Sequence, residues 1–152
     1  MRLRDFLFET AGAKAGILPY FIEADDSISY LFMTSSDPDF GGPDPMVSKG
    51  HVDIGESVEQ AAVREGKEEL GLRVSNIVAN SLKEGWVGEL GGMTSHYKMH
   101  IYTCQVKDKT SFDEPHYETK ETNWFSFEEA MRKVRRSHRD IVKSIHEKLQ
   151  KQ

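Results

Sequence analysis

Between Ser57 and Gly71 the sequence specifies a helix with both ends marked. Ser57-Val58-Glu59-Gln60 has the S-x-x-Q spacing of a capping box, in which the Ser and Gln side chains satisfy backbone N–H groups at the first turn. Gly71 falls where a chain leaves its last helical turn through a left-handed residue. At about 100° per residue, Val58, Ala61, Ala62, Glu65, Glu68 and Glu69 share one side. That stripe begins small and apolar and ends in three carboxylates. Like charges at i, i+3 and i+4 repel, and they do so here at the helix end whose dipole is already negative. Burying this stripe requires a compensating cation, and clustered hard oxygen donors suit Mg²⁺, with Mn²⁺ as an alternative ion. The plain alternative is a solvated acidic face, which leaves Val63, Gly66 and Leu70 as the only buried side. Gly66, in mid-helix, costs about 1 kcal/mol against Ala. It is either a tolerated defect or a point of close approach to a sheet.

The rest of the chain supplies that sheet. Residues 15–22 (AGILPYFI) and 28–34 (ISYLFMT) are β-rich and flank a polar turn, a hairpin pattern. Residues 35–45, rich in Ser, Asp, Gly and Pro, read as a loop, and 46–53 as short and partly extended. Residues 73–83 and 95–106 read as strands separated by a Gly-rich turn over 85–92. Asn123-Trp124-Phe125 reads as a strand leading to a second capping box, Ser126-Phe127-Glu128-Glu129. Ser137 is expected to cap a terminal helix that carries Ile141, Val142, Ile145 and Leu149 on one face. Strands and helices intermix, which predicts an α/β fold with helices on both sides of one sheet.

The segment 50–72, GHVDIGESVEQAAVREGKEELGL, resembles the Nudix (MutT-like) signature G-x5-E-x7-R-E-U-x-E-E-x-G-U, where U is a bulky apolar residue. Gly50, Glu56, Arg64, Glu65, Glu68, Glu69, Gly71 and Leu72 fill its fixed positions. Gly66 departs from it, standing where an apolar residue is expected. The resemblance implies an α/β/α sandwich with a central mixed sheet, a single Nudix hydrolase domain over residues 1–152, and cleavage of a diphosphate bond in a nucleotide-type substrate. It implies Glu65, Glu68 and Glu69 as metal ligands, joined by the Gly50 carbonyl. Arg64 would orient a carboxylate rather than touch substrate, and Glu56 would brace the loop or hold water. For the general base the resemblance leaves two readings. One is Glu65; the other is a loop carboxylate, for which Glu121, just before Asn123-Trp124-Phe125, is preferred to Glu118.

The substrate is less constrained. Ser48-Lys49-Gly50-His51 resembles the K-G-H opening found in dinucleoside polyphosphate hydrolases, with Lys49 as a phosphate contact. Those enzymes usually have Pro where this chain has Ser48. Trp86 is either a base-stacking residue or a core residue. In the strand 95–106, His96, Lys98, His100 and Tyr102 alternate with apolar positions, so Lys98 either reaches phosphate or faces solvent. The run Arg132-Lys133-Val134-Arg135-Arg136-Ser137-His138-Arg139 is either a helix end complementing its dipole or a grip on an RNA 5′ end. A nucleotide-binding domain without turnover is the non-enzymatic reading.

Composition sets the outer limits. One domain accommodates 152 residues. The net charge of −5 argues against broad attraction to nucleic acid or acidic lipid, so an anionic substrate must be met by local cations. No apolar run approaches a membrane span. The start, interrupted by Asp5 and Glu9, does not read as a secretory signal. The single Cys104 agrees with a reducing compartment, and a cytoplasmic location is the expectation. The oligomeric state is left open.

Overall fold

A computed structural model describes residues 12–39, 42–91 and 96–152. The reading of the first residues as no secretory signal, the middle of the 35–45 loop and the start of the strand read from 95 lie outside them. Six strands form one mixed sheet: β1 (Ala13–Ile22), β2 (Ile28–Ser35), β3 (Ser48–His51), β4 (Lys83–Gly91), β5 (His96–Gln105) and β6 (Thr119–Ser126). Helices α1 (Val58–Leu70), α2 (Phe127–Lys133) and α3 (Arg139–Gln150) cover it. The order is β4-β5-β1-β2-β6, with β3 also paired to β1. Among the described residues only β1 and β5 pair in parallel; the other pairings are antiparallel.

One edge of β1 is shared. Its residues Lys14 to Ile17 pair with β3, and Tyr20 to Ile22 pair with β2. A bridge between Met33 and Met46 ties β2 to the approach to β3. The short β3 is therefore wedged between the two ends of the hairpin, and its alternate side chains reach opposite faces of the sheet.

Each face buries its own apolar cluster. On one, Ala61, Ala62 and Leu70 of α1 pack with Ala15, Ile17, Leu31 and Met33. On the other, Ile141, Val142 and Ile145 of α3 and Ala130 of α2 pack with Leu18, Tyr30, Phe32, Met99 and Ile101. Each such aliphatic side chain contributes about 1.5–3 kcal/mol when fully buried. The expected α/β/α sandwich is what the chain forms.

Gly66 is a point of close approach. A Cβ there would lie 2.7 Å from Ile17 Cγ2 and 3.1 Å from Leu72 Cδ2, so α1 sits on β1 more tightly than an alanine permits. The helix boundaries follow the sequence. Ser57 and Ser126 both form complete capping boxes. Gly71 adopts φ 71°, its N–H donates to the carbonyl of Lys67, and the N–H of Leu72 returns to the carbonyl of Gly66, so the left-handed residue ends the helix while its last carbonyls keep partners.

Three expectations are corrected. Residues 73–83 are not one strand: Val74–Asn76 is a 3₁₀ turn, Ile77 makes a single bridge opposite Val106, and β4 begins only at Lys83. The glycines of 85–91 lie inside β4 rather than in a turn, because they are packing positions. A Cβ on Gly85 would meet Thr103 Cγ2 at 2.8 Å and Ile145 Cγ1 at 3.1 Å, and one on Gly88 would meet the Trp86 ring. Ser137 caps nothing. It lies in the 3₁₀ turn Arg136–His138, and α3 starts after His138 with no side-chain cap. The corner is held instead by Arg139, which donates to the carbonyls of Val134 and Arg132.

Candidate active site

The acidic end of α1 meets β3 on one face of the sheet. Ser48, fully buried, donates its hydroxyl to Glu69 Oε1 at 2.8 Å, and the backbone N–H of Lys49 donates to the same oxygen at 2.8 Å. Among the described residues, Oε2 of Glu69 accepts no hydrogen bond. Burial pushes the Glu69 carboxyl up to about 7, the neighbouring charge of Glu65 adds to this, and the Ser48 and Lys49 contacts only partly oppose it. Glu65 is 9% exposed, and its carboxyl is also raised, first by burial, with Glu68 and Glu118 adding to the effect. The backbone of Gly50 lies against the Glu65 carboxylate so closely that any Cβ would collide with it.

Arg64 is the internal counter-ion. Its Nε donates to Glu56 Oε2 at 2.8 Å, Nη1 to Glu65 Oε1 at 2.9 Å and to Glu68 Oε2 at 3.4 Å, and Nη2 to the carbonyl of His51 at 2.9 Å. Asp53 stands 3.6 Å from Nη2. Glu56 in turn accepts the Asp53 N–H at 3.1 Å, which closes the loop between β3 and α1. The Arg64 hydrogen bond holds the Glu56 carboxyl below its ordinary range. The cation demanded by the acidic stripe is thus partly built in. One guanidinium still faces four carboxylates, and Glu69 lies outside its reach.

A loop latches the same helix end. The Asp113 N–H donates to Gly71 O at 2.7 Å and the His116 N–H to Glu68 O at 2.7 Å. The Thr119 hydroxyl donates to Glu69 O at 2.9 Å. This latch brings Glu118 into electrostatic range of Glu65. Glu121 is placed differently. It pairs with Thr34 in β6, exposed, and strand alternation puts it with Phe125 on the face away from α1. The preference among the loop carboxylates therefore moves from Glu121 to Glu118.

The other face of β3 has the opposite sign. Lys49 and His51 alternate with Ser48 and Gly50, and the register sets Lys14 opposite His51 and Gly16 opposite Lys49. Lys14 Nζ lies 4.6 Å above the Tyr97 ring, and His51 meets Tyr97 edge-on at 5.6 Å. Burial lowers the Lys49 pKa first, and the charges of Lys14 and Arg135 lower it further. The basic run 132–139 divides. Arg139 caps α2, and Lys133 pairs with Glu129 at 3.5 Å and lies over Phe125. Arg135 instead turns toward β3, its N–H donating to Pro45 O at 2.7 Å. His138 accepts the Val47 N–H at 3.1 Å, and burial pushes its pKa down to about 3, so it docks the corner as a neutral ring.

The remaining sequence candidates separate. Trp86 is half-buried on the second cluster, in a row with Ile101, Gly16 and Lys49 across the sheet. Lys98 is exposed and lies, with His100 and Tyr102, on the α1 face. His100 there is held by Glu84 at 2.8 Å. Ser48, Thr119, Lys14 and Arg135 were not singled out from sequence. For Ser48 the signal was its replacement of the usual Pro; the other three depend on long-range pairing.

The donors present fit a divalent cation. Glu65, Glu68 and Glu69 are hard oxygen donors, two of them carry a charge their surroundings leave undercompensated, and the Gly50 backbone abuts one of them. Among the described residues no three acidic or histidine side chains already form a closed ligand group. The carboxylates lean on Arg64 and Ser48 instead.

The sequence matches the family model of the NUDIX domain over residues 19–145. No curated protein matches the chain. Among solved structures, it is similar to an Ap4A hydrolase of C. elegans in a binary complex (20% identity, TM-score 0.74, 92% of this chain and 98% of that one). It is also similar to the Nudix hydrolase RenU of M. smegmatis (15% identity, TM-score 0.75, 93% and 88%). A third is the NUDIX domain of NrtR from Shewanella oneidensis complexed with ADP ribose (13% identity, TM-score 0.71, 90% and 87%). At these identities the likeness is one of fold. Among the described residues no helix is long and apolar enough to cross a membrane.

Proposed function

With this chain a member of the Nudix family of hydrolases, we propose that it cuts a phosphoric anhydride bond in a nucleotide-type substrate with the help of Mg²⁺ or Mn²⁺. The observation that carries this reading is the buried, undercompensated pair Glu65 and Glu69 on one helix face, with carboxyls raised by burial and a single guanidinium shared among their neighbours. Glu65, Glu68 and Glu69, with the Gly50 carbonyl, would hold the ion. When bound, a divalent cation neutralises phosphate charge and lowers the pKa of water for attack on phosphorus.

The chain's own groups do the rest. Arg64 fixes the rotamers of Glu56, Glu65 and Glu68 through charge-assisted hydrogen bonds, so the carboxylates are preorganised. Glu56 holds the β3–α1 loop closed. Ser48 and the Lys49 N–H fix one oxygen of Glu69 and leave the other free. Glu118, on the loop latched to the helix end, is the preferred loop carboxylate for accepting a proton from water, with Glu65 as the alternative within the helix. Lys49 supplies local positive charge beside the site, which an anion needs against a net charge of −5.

For the substrate we propose a dinucleoside polyphosphate. The K-G-H opening around Lys49 supports it. ADP-ribose is the second reading, favoured by the fold shared with the ADP-ribose-bound NUDIX domain. RNA 5′-end cleavage loses support because Lys133 and Arg139 of the basic run are engaged within the fold. Ranking dinucleoside polyphosphates, ADP-ribose, nucleotide sugars, nucleoside triphosphates and 5′-triphosphate RNA by kcat/KM with Mg²⁺ tests the reading. The expected order puts dinucleoside polyphosphates first, and absence of turnover with every member contradicts the hydrolase assignment.

A further inference from the structure

The two oxygens of Glu69 are held unequally. Oε1 accepts the Ser48 hydroxyl and the Lys49 N–H, each at 2.8 Å, while Oε2 accepts nothing among the described residues. An ionised carboxylate offers about four lone-pair sites, roughly two on each oxygen. The chain itself therefore fills both sites of Oε1. The other two carboxylates read as ligands differ. Glu65 Oε1 and Glu68 Oε2 each accept one contact from Arg64 Nη1, at 2.9 and 3.4 Å, which leaves a lone pair on each oxygen. Of the two donors to Glu69, the Lys49 N–H is backbone and comes with the strand. The Ser48 hydroxyl is a choice of side chain. Ser48 is fully buried in β3, opposite Ile17 of β1, so solvent does not reach the contact to replace it. The other acceptor within its reach, the carbonyl of Glu65, lies farther off at 3.3 Å. The K-G-H opening that this segment resembles carries Pro here, whose side chain has no donor, so the contact is particular to this chain.

We propose that Ser48 selects the cation: by filling the second lone pair of Glu69 Oε1 it limits Glu69 to ligation through one oxygen, which favours Mg²⁺ over Ca²⁺. The reason lies in what each ion asks of its ligands. Ca²⁺ takes roughly six to eight oxygens at about 2.3–2.6 Å and readily uses both oxygens of one carboxylate. Mg²⁺ demands near-octahedral geometry at about 2.0–2.1 Å and keeps several waters, so a second oxygen from the same carboxylate gains it little. Without the hydroxyl, Oε1 regains a lone pair and Glu69 can close on the larger ion. Ser48 is thus a positioning residue that acts through Glu69, as outer partners of metal ligands do. Selection between ions rests on the metal-dependent reading above.

The test reads binding of the metals alone. The full chain, stripped of metal with a chelator, is titrated with Mn²⁺, and the unbound ion is followed by its electron paramagnetic resonance. Bound Mn²⁺ is then displaced with Mg²⁺ or with Ca²⁺, which yields the ratio of the two affinities. Ser48→Ala is expected to shift that ratio about tenfold toward Ca²⁺, the size of effect that outer partners of metal ligands have. Ser48→Thr, which restores the hydroxyl, is expected to return the ratio to within about twofold of wild type. Thr119→Val serves as the control: it loosens the same helix end, where the Thr119 hydroxyl holds the backbone carbonyl of Glu69, without touching a carboxylate oxygen, and should leave the ratio unchanged. Should the threonine methyl not fit the buried position, the alanine variant and the Thr119 control decide alone. An unchanged ratio in Ser48→Ala, or an equal shift in Thr119→Val, overturns the role of Ser48 and leaves the metal site standing. Failure of wild type to bind any of the three ions overturns that role and the metal-dependent reading together. The shift in Ser48→Ala, found in a wild type that turns over no substrate, supports the selection by Ser48 and removes the hydrolase reading. Circular dichroism and melting of each metal-free variant establish that it is folded.

Discussion

β3 separates two chemistries that differ in sign and in how they are held. Toward α1, Ser48 and Gly50 meet carboxylates each of which has at least one oxygen fixed, by Arg64 for Glu56, Glu65 and Glu68 and by Ser48 and the Lys49 N–H for Glu69. Toward the α2–α3 corner, Lys49 and its neighbours Lys14 and Arg135 are held through their backbones and one aromatic ring, and their charges are left free. Reaction chemistry needs fixed atoms, because small displacements of reacting groups are costly in rate. Recognition of a flexible phosphate chain needs charge density, which long side chains supply without rigid placement. Changes on the α1 side are therefore expected to alter turnover, and changes on the other side to alter affinity.

The largest expected effect is at Gly50. Gly50→Ala forces the Glu65 carboxylate to move, and turnover should fall by more than about 100-fold, as displaced catalytic groups do. Retention of the wild-type rate would show that the Glu65 position is not critical. Arg64→Ala should come next, now read as stability. Removing one partner of a buried pair costs about 3–5 kcal/mol, and with Arg64 29% exposed the discounted expectation is about 2–3 kcal/mol in urea denaturation. A loss below about 0.5 kcal/mol would mean the network is a surface ornament.

Gly66→Ala probes the support beneath the site. Helix propensity alone predicts a gain of about 1 kcal/mol, whereas a Cβ 2.7 Å from Ile17 Cγ2 predicts overpacking of about 1–3 kcal/mol. A net loss of up to about 2 kcal/mol is expected, and a net gain would mean that α1 has room to lift from β1.

A further effect is one of pH. The folded chain holds the Glu69 proton up to about 7, against 4.5 for an ordinary Glu. Between those values the native state binds more protons than the unfolded one, so stability falls as pH rises through the window. Metal-free Glu69→Gln, which can still accept from Ser48 and Lys49, should lose that slope and melt higher than wild type at pH 8, with the difference vanishing near pH 5. Parallel pH profiles for the two proteins would show that Glu69 is not strained by burial.

The two sides of β3 were also unequally legible in the sequence. The acidic side lies within one continuous segment, 50–72, where cap, period and charge can all be read locally, and each fixed residue of that segment lands where the helix and loop require it. Thr119 escaped, and Glu118 was ranked behind Glu121, because the latch to α1 spans about fifty residues, as the Thr119–Glu69 bond shows. The basic side comes from residues 14, 49, 97 and 135, brought together by strand register and a helix corner, neither of which sequence periodicity encodes. For the same reason Ser137 was read as a cap: the competing docking of His138 on Val47, 91 residues away, is invisible locally. In β4, glycines that a chain often spends on turns serve here as packing gaps beneath Ile145 and Trp86.

The central claim is that buried carboxylates at the end of α1 make this chain a metal-dependent hydrolase. Its most direct measurement is steady-state turnover of a dinucleoside tetraphosphate across a Mg²⁺ titration, for wild type and Glu69→Gln, with melting recorded alongside. The account predicts Mg²⁺-dependent turnover in wild type and a loss of at least about 100-fold in a folded Glu69→Gln protein. Undiminished turnover in that variant, or turnover in wild type that ignores Mg²⁺ and Mn²⁺, would contradict it.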